Sequence, residues 1–393
     1  MRFSRQLYKA GLDAPSGFRH QRTSALLSRG LLAHTGYPGI PTYTPIGTEV
    51  LARIEGRLAT ALEQAGFSQV RIPSVMKDSE LTAGEPVGEQ FLSKILFLSD
   101  TLRGYHLLTS PEMLLTGALG SAPLSHRDLP IRVGYLTDIF RQMKNTRSIL
   151  RLRQFRVLGG LALEPDDAGV RGSLDELVAL TVDTLAGLGL PLRQQWSTDP
   201  LHVEIFYPCA EGSTNVADEG SLTGIAKALS LAVGYHYAAA TPPPVSYRTA
   251  GNALTGARMA TYALCTNRVL YAVFDRHRDS LGFSLPASLR PFDAVVVPVG
   301  ADAVAAAERL HATLVGRGIR SALDDRLNRP AVARQRFADY LGAPVTLRVG
   351  ADDFTLIRRG GRCLDDPVRD ADELAGAVQR LLGGAPVGVG GRG

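Results

Sequence analysis

Between two phenylalanines the chain reads FRQMKNTRSILRLRQF, residues 140–155. Eight of these side chains are cationic or amide, namely Arg141, Gln142, Lys144, Asn145, Arg147, Arg151, Arg153 and Gln154, and no carboxylate interrupts them. A solvated helix face would interleave acids for i,i+4 pairing. Guanidinium groups gathered without acids suit a negative partner, whose paired oxygens they hold bidentately. A second candidate is LLTSPEM, residues 107–113, with Ser110 and Glu112 on either side of Pro111. A carboxylate there could anchor a bound ammonium group. The same residues also spell a helix start, with Ser as N-cap, Pro in the first turn and Glu at the positive end of the dipole. Two further residues stand in suggestive places. Arg268 opens the helical pattern in YALCTNRVLYAV, and Glu204 lies in LHVEIF. Alternating burial along a strand accounts for Glu204 equally well.

Composition narrows the setting. The 393 residues are 45% hydrophobic and 21% charged, as in ordinary globular proteins, and the length suggests two or three domains. A net charge of +5 permits an anionic partner such as ATP or RNA without requiring one. Nearly all the cations are arginine; the lysines are Lys9, Lys77, Lys94, Lys144 and Lys227. Cys209, Cys265 and Cys363 lie far apart with no CxxC pair, which indicates neither a zinc site nor a disulfide framework. No apolar leader or membrane-length run is present, so a soluble, cytoplasmic protein is expected.

The elements that must position these residues follow from periodicity. Leu51, Ile54, Leu58 and Leu62 recur at helical spacing over 48–66, and Gly66 supplies a stop. The stretch FSQVRIPSV predicts a strand broken at Pro73. A strand, a turn and a helix are expected over 104–119, and strands over 131–143 and 155–163. The cationic stretch is then the connection between two antiparallel strands. Ser173 as N-cap, with Glu176 completing a capping box, predicts a helix over 173–189. Residues 190–255 give a strand at LHVEIFY, a helix near 221–234 and a break at TPPPVSY. A strand then a helix are expected over 256–277, and a linker over 279–291. From 292, strands and helices alternate through FDAVVVPVG, a glycine-ended helix, IRSALDD, PAVARQRFADYLG, PVTLRVG and DADELAGAVQRLLGG. That order implies a small, parallel-rich α/β domain. Residues 386–393 are expected to be disordered.

In this order of elements the chain resembles the class II aminoacyl-tRNA synthetases, above all the prolyl enzyme of bacteria. The resemblance runs from about residue 3 to 385 and is strongest over 20–190 and 265–345. It implies an α+β class II catalytic domain over 1–278, an antiparallel sheet flanked by helices, followed by the 279–291 linker. An α/β anticodon-binding-like domain would occupy 292–385. Residues 48–73 would match the family's first motif and its dimer interface. Phe140-Arg141 and RLRQF match the second motif. By that match Arg141 would bridge the α-phosphate and the amino-acid carboxylate, Arg151 would bind the terminal phosphates, and Phe155 would stack on adenine. Arg268 stands at the invariant arginine of the third motif, while Ser110 and Glu112 match a loop that holds the substrate amine and carboxylate. Glu204 would lie near the substrate.

The departures from the family are as informative. Met143 stands where the family has a Glu that helps recognise adenine, and Gly159 replaces an expected acid. Leu264, Cys265, Thr266 and Asn267 replace the glycines of the third motif, which would narrow the pocket. Only about 100 residues separate the second and third motifs, so no full editing domain fits. In the C-terminal part, SALDDRLNRPAVARQRF offers Arg326, Arg329, Arg334 and Arg336 to RNA phosphates. The resemblance therefore implies a specialised enzyme that activates an amino acid with ATP and magnesium. It would pass the acyl group to tRNA, a carrier protein or a small molecule, acting as a homodimer away from membranes. The altered motifs also admit a non-catalytic paralog that binds RNA, regulates or scaffolds.

Overall fold

The computed structural model describes residues 1–5, 13–28, 31–78, 94–98, 103–198, 201–212, 214–217, 225–237, 245–351, 353–363 and 370–383. Its centre is an eight-stranded sheet. The spatial order is Ser68–Val70, Ile131–Phe140, Gln154–Glu164, Arg258–Cys265, Ile225–Tyr237, Leu201–Pro208 and Arg193–Thr198, with Thr214–Ala217 pairing beside the 225–237 strand. The 68–70 strand joins in parallel, and every other pairing is antiparallel. Pro73 divides its stretch as expected. Val75–Lys77, beyond it, pairs with Tyr105–Leu107 in a separate ribbon.

Side chains pack on both faces of the sheet, on the second face over its 131–140, 154–164 and 258–265 strands. On one lie the helices Pro45–Gln64, Asp167–Ala186 and Thr266–Arg276. The stripe Ile46, Val50, Leu51, Ile54, Leu58 and Leu62 of the first is buried in this core. On the other face, the helix Pro111–Gly120 supplies Leu115 to a second core around Tyr135, Ile139, Val157 and Leu161.

Two sequence expectations are corrected here. The helix expected near 221–234 is the strand Ile225–Tyr237. Its Ala- and Leu-rich stretch reads as helix by propensity. A bulge at Leu231, between the pairs Ile205–Ala232 and Phe206–Ser230, interrupts the alternation that would have marked it. The helix expected over 173–189 begins earlier, at Asp167, and Asp166 is its N-cap, accepting from Gly169 N at 2.8 Å. Ser173 is buried inside the helix and donates to Glu164 Oε1 at 2.6 Å, and Glu176 pairs with Arg132 at 2.7 Å. Gly169 and Gly172 disguised this first turn as a loop.

The C-terminal sheet has the order Ser321–Leu323, Ala294–Pro298, Val345–Val349, Phe354–Arg358, Arg362–Cys363. Its first three strands run parallel and the last two add antiparallel. Val304–Gly316, Ala331–Tyr340 and Ala371–Gly383 are its helices. The antiparallel pair was not anticipated; Gly360 and Gly361, both with φ of 89°, form its turn. The stretch 279–291 connects the two sheets, yet Phe283, Leu285 and Leu289 are buried and Phe283 N donates to Tyr340 O at 2.9 Å. Residues 386–393 lie outside the described residues. No described helix is long and apolar enough to cross a membrane.

Candidate functional site

The cationic loop leaves the sheet at Phe140 and returns at Gln154. Arg141 N donates to Arg153 O at 2.8 Å, so the strand pairing continues into the loop base. Arg153 N and Gln154 N both donate to Gly39 O, at 2.8 and 3.1 Å, from the turn between Ala33–Tyr37 and Ile40–Tyr43. A Cβ on Gly39 would lie 2.6 Å from Thr146 Cγ2, so this approach requires glycine. Ser148 adopts φ of 45° and donates to Ser24 O at 3.0 Å, which fixes the loop tip on the helical turn Thr23–Leu27. Ile149, Leu150 and Leu152 are buried. Apolar side chains thus anchor the loop, Arg153 donates to Met143 O and Pro38 O, and Arg151 stays exposed.

Under the loop lies a cavity of about 140 Å³, lined among others by Arg141, Met143, Phe155, Ser230, Cys265 and Arg268. Four expected site residues therefore meet here, since exposed Arg151 also lines it. The Arg141 guanidinium carbon lies 5.4 Å from the centre of the Phe155 ring. Its Nε is buried with no hydrogen-bond partner among the described residues. Burial pulls its pKa down, and the charge of Glu112 pushes it back up. Arg268 is held differently, donating to Leu150 O at 3.2 Å and Ser230 O at 2.6 Å. The cation over Phe155 is thus Arg141, with Arg268 tied to backbone beside it.

The residues expected on the substrate side lie close to Arg141 and Ser230 of the cavity wall. Ser110 and Glu112 do stand at a helix start, but the Ser110 hydroxyl makes no capping bond and instead donates to Glu112 Oε2. Glu112 is 9% exposed. Ser230 donates to Glu204 Oε1 at 3.0 Å. Tyr235, which the sequence did not single out, completes the group. Burial raises its pKa, with the charge of Glu204 adding and that of Arg141 opposing. Its ring stacks on His202 at 5.6 Å. No periodic signal could have found it, because its strand had been read as a helix.

The altered motif positions have physical counterparts. A Cβ on Gly159 would come within 2.3 Å of the Tyr135 ring, its cross-strand partner. Tyr135 therefore fills the space that an acidic side chain at 159 would need. Met143 remains at the cavity wall, with its Sδ 4.0 Å from Arg151 Nη2. A buried polar network also links the three motif elements, and sequence reading missed it. Glu55 Oε1 accepts from Arg156 Nε at 2.8 Å and from Thr266 Oγ1 at 2.9 Å. Among the described residues no group of three His, Cys, Asp or Glu is placed to hold a metal. Near the cavity, Glu112 and Glu204 are each engaged by a serine. A magnesium ion held by one or two carboxylates together with substrate phosphates needs no such group of three.

The C-terminal arginines divide. Arg334, expected on RNA phosphate, is 1% exposed and donates to Pro298 O at 2.7 Å, Asp324 O at 2.8 Å and Arg329 O at 3.1 Å. A guanidinium committed to three interior carbonyls has no face left for a phosphate, so its role is to hold the fold. Arg326 is paired with Asp324 at 2.7 Å and lies over the Phe337 ring. Arg329 pairs with Asp13 at 2.7 Å while staying half exposed, and Arg336 is exposed.

Comparison with known proteins follows this geometry. No family model matches the chain. A proline–tRNA ligase of Bradyrhizobium is 24% identical over 425 aligned positions, covering 92% of this chain and 94% of the relative. One from Thermoplasma volcanium is 22% identical, covering 81% and 70%. Among solved structures, Giardia lamblia prolyl-tRNA synthetase in complex with prolyl-adenylate superposes with a TM-score of 0.72 at 16% identity, over 91% of this chain and 79% of that one. The Cryptosporidium parvum enzyme, complexed with halofuginone and AMPPNP, gives 0.72 at 15%, over 94% and 77%. The chain is therefore prolyl-tRNA synthetase-like, and its catalytic-type sheet has the class II fold.

Proposed function

We propose that the chain activates an amino acid with ATP, forming an aminoacyl adenylate, and transfers the acyl group to tRNA or another acceptor. The observation that carries this is the meeting of Arg141, Phe155 and Arg268 around one cavity, with Glu112 within electrostatic reach of Arg141. The relatives' names and the adenylate-bound neighbour support the same chemistry. In this reading the amino-acid carboxylate attacks the α-phosphate, the new carbon–oxygen–phosphorus linkage forms, and pyrophosphate leaves. Arg141 offsets the charge that builds on the equatorial oxygens, and Arg151 holds the departing phosphates. Phe155 offers a ring face to the base, and Ser110 with Glu112 receives the substrate amine. Amino-acid-dependent ATP–pyrophosphate exchange over the twenty amino acids, proline first, tests it.

A second reading is a non-catalytic paralog. It is favoured by Arg141 lying over the Phe155 ring, where a base would stack, and by Tyr135 filling the room above Gly159. Absence of exchange with every amino acid would select it. We further propose that 292–385 is an anticodon-binding-like domain that meets RNA through Arg329 and Arg336. Homodimerisation remains a proposal carried by the resemblance alone. The apolar stripe of the Pro45–Gln64 helix is covered within the chain. Sedimentation at micromolar concentration decides it.

A further inference from the structure

We propose that Asn267 is a positioning residue that holds Phe155, the ring offered to the base, in register with Arg268 in the cavity wall. This rests on the nucleotide-binding reading of that cavity. The 258–265 strand pairs with the 154–164 strand as far as Cys265 opposite Val157. One residue further on, the chain turns into the Thr266–Arg276 helix, so the ladder has no strand to offer Arg156. The Arg156 N–H donates instead to Asn267 Oδ1 at 2.7 Å. Thr266 Oγ1 approaches the Arg156 carbonyl at 3.5 Å. The first residues of the helix thus prolong the ladder with side chains.

The consequence lies in sequence adjacency. Phe155 immediately precedes Arg156, and Arg268 immediately follows Asn267. One hydrogen bond therefore fixes the backbones that carry two cavity residues. Asn267 is 1% exposed, so an N–H released by its loss would find no water. The amide is itself oriented, because its Nδ2 donates to the Tyr43 hydroxyl. Glu55 holds the Arg156 side chain and Thr266 from the Pro45–Gln64 helix. The Ile40–Tyr43 strand, the 154–164 strand and the Thr266–Arg276 helix are joined at this asparagine, and Glu55 ties in the Pro45–Gln64 helix beside it.

Titration calorimetry of the full chain tests the assignment, with ATP and with inorganic tripolyphosphate as a base-free probe. Asn267→Ala should weaken ATP by roughly 2–30-fold, the range over which residues acting through a neighbour modulate binding, and leave tripolyphosphate affinity unchanged. Asn267→Asp keeps the Oδ1 acceptor but exchanges the Nδ2 donor that faces Tyr43 for an oxygen, so it should lose less ATP affinity than Ala. Thr181→Val is the matched control. It removes a buried bond from Tyr262 OH of 2.7 Å and should lower the melting temperature without moving ATP affinity. If Asn267→Ala does not fold, Asn267→Ser carries the same expectation, since its hydroxyl is too short to span the gap. Unchanged ATP affinity in the Ala variant would overturn the positioning role. Equal losses for both probes, or a loss in the Asp variant as large as in Ala, would overturn it as well. A wild-type chain that binds no ATP would instead remove the nucleotide-binding reading itself, and the proposal with it.

Discussion

Met143→Glu is the most informative single substitution. Met143 lines the cavity, and its thioether offers a base only a weak, apolar contact. The resembled family carries Glu here, which accepts from the adenine amino group. One regained charge-assisted hydrogen bond contributes about 1.5–3 kcal/mol. In this chain the new carboxylate would also be courted by Arg151, whose Nη2 lies 4.0 Å from the present sulfur. Such an exposed pair competes with about 0.2–1 kcal/mol. The net gain is about 1–2 kcal/mol, roughly 5–30-fold in affinity. It should fall on ATP and spare the deaminated analogue, which lacks the donor.

Calorimetry with ATP, GTP and the deaminated nucleotide, on wild type and variant, reads this directly. Wild type should discriminate poorly among the three, because ring stacking on Phe155 is indifferent to the amino edge. Equal tightening for all three would mean the new charge acts through Arg151 and not on the base. Strong ATP selectivity in the wild type, unchanged by the substitution, would mean another group reads that edge and would refute the reasoning.

Arg141→Ala should lower exchange turnover by orders of magnitude while the melting temperature stays level or rises, as its Nε has no hydrogen-bond partner among the described residues to lose; wild-type turnover would remove Arg141 from the site. Arg334→Met should destabilise by about 3–5 kcal/mol in urea, since three buried carbonyls lose their donor, whereas exposed Arg336→Ala should change stability by under about 0.5 kcal/mol yet reduce the salt slope of tRNA binding by about one. Gly159→Asp alone should cost about 3 kcal/mol or more through its clash with Tyr135, and Tyr135→Ala should relieve much of that in the double variant, which a double-mutant cycle measures. Burial, helped by the charges of the Met1 ammonium group and then Arg2, holds His311 down at about 4. The unfolded chain then binds more protons between the ordinary histidine value and that one, so stability present above pH of about 6.5 should fall as pH drops towards 4, and His311→Gln should flatten that slope in denaturant titrations.

What the sequence disclosed depended on how much of each signal was local. The Pro45–Gln64 helix, the break at Pro73 and the βα alternation after 292 were legible because periodicity and punctuation are short-range properties. The 225–237 strand was not, since its Ala- and Leu-rich sequence reads as helix and a bulge at Leu231 interrupts the alternation that would have revealed it. The same misreading hid Tyr235. Arg141, Arg151, Phe155 and Arg268 were found by motif spacing, and the fold does bring them to one cavity. Arg334 was misassigned because its sequence neighbours are cationic. Only the three-dimensional path of the 298 and 324 carbonyls shows where its charge is spent. Glu55 and Asn267 sit 212 residues apart and share partners that no linear pattern announces.

The departures from the resembled family have been repacked and not left as gaps. Tyr135 and Gly159 are complementary across one strand pair, and Asn267 completes a ladder that the helix start would otherwise cut short. Good packing at altered positions cannot by itself separate a specialised enzyme from a silent paralog, because both must fold. Arg141 separates them better. A buried guanidinium nitrogen without a hydrogen-bond partner costs stability, and an apolar side chain of similar size would remove that cost. A fold that has repacked Gly159 around an aromatic ring had the means to do the same here. That the cation stays, within reach of Glu112 and facing the cavity, is explained if an anion completes its coordination when it binds. ATP or an anionic analogue should then raise the melting temperature of the wild type by more than that of Arg141→Met. Equal shifts in the two proteins would leave this nitrogen without a ligand and would favour the non-catalytic reading.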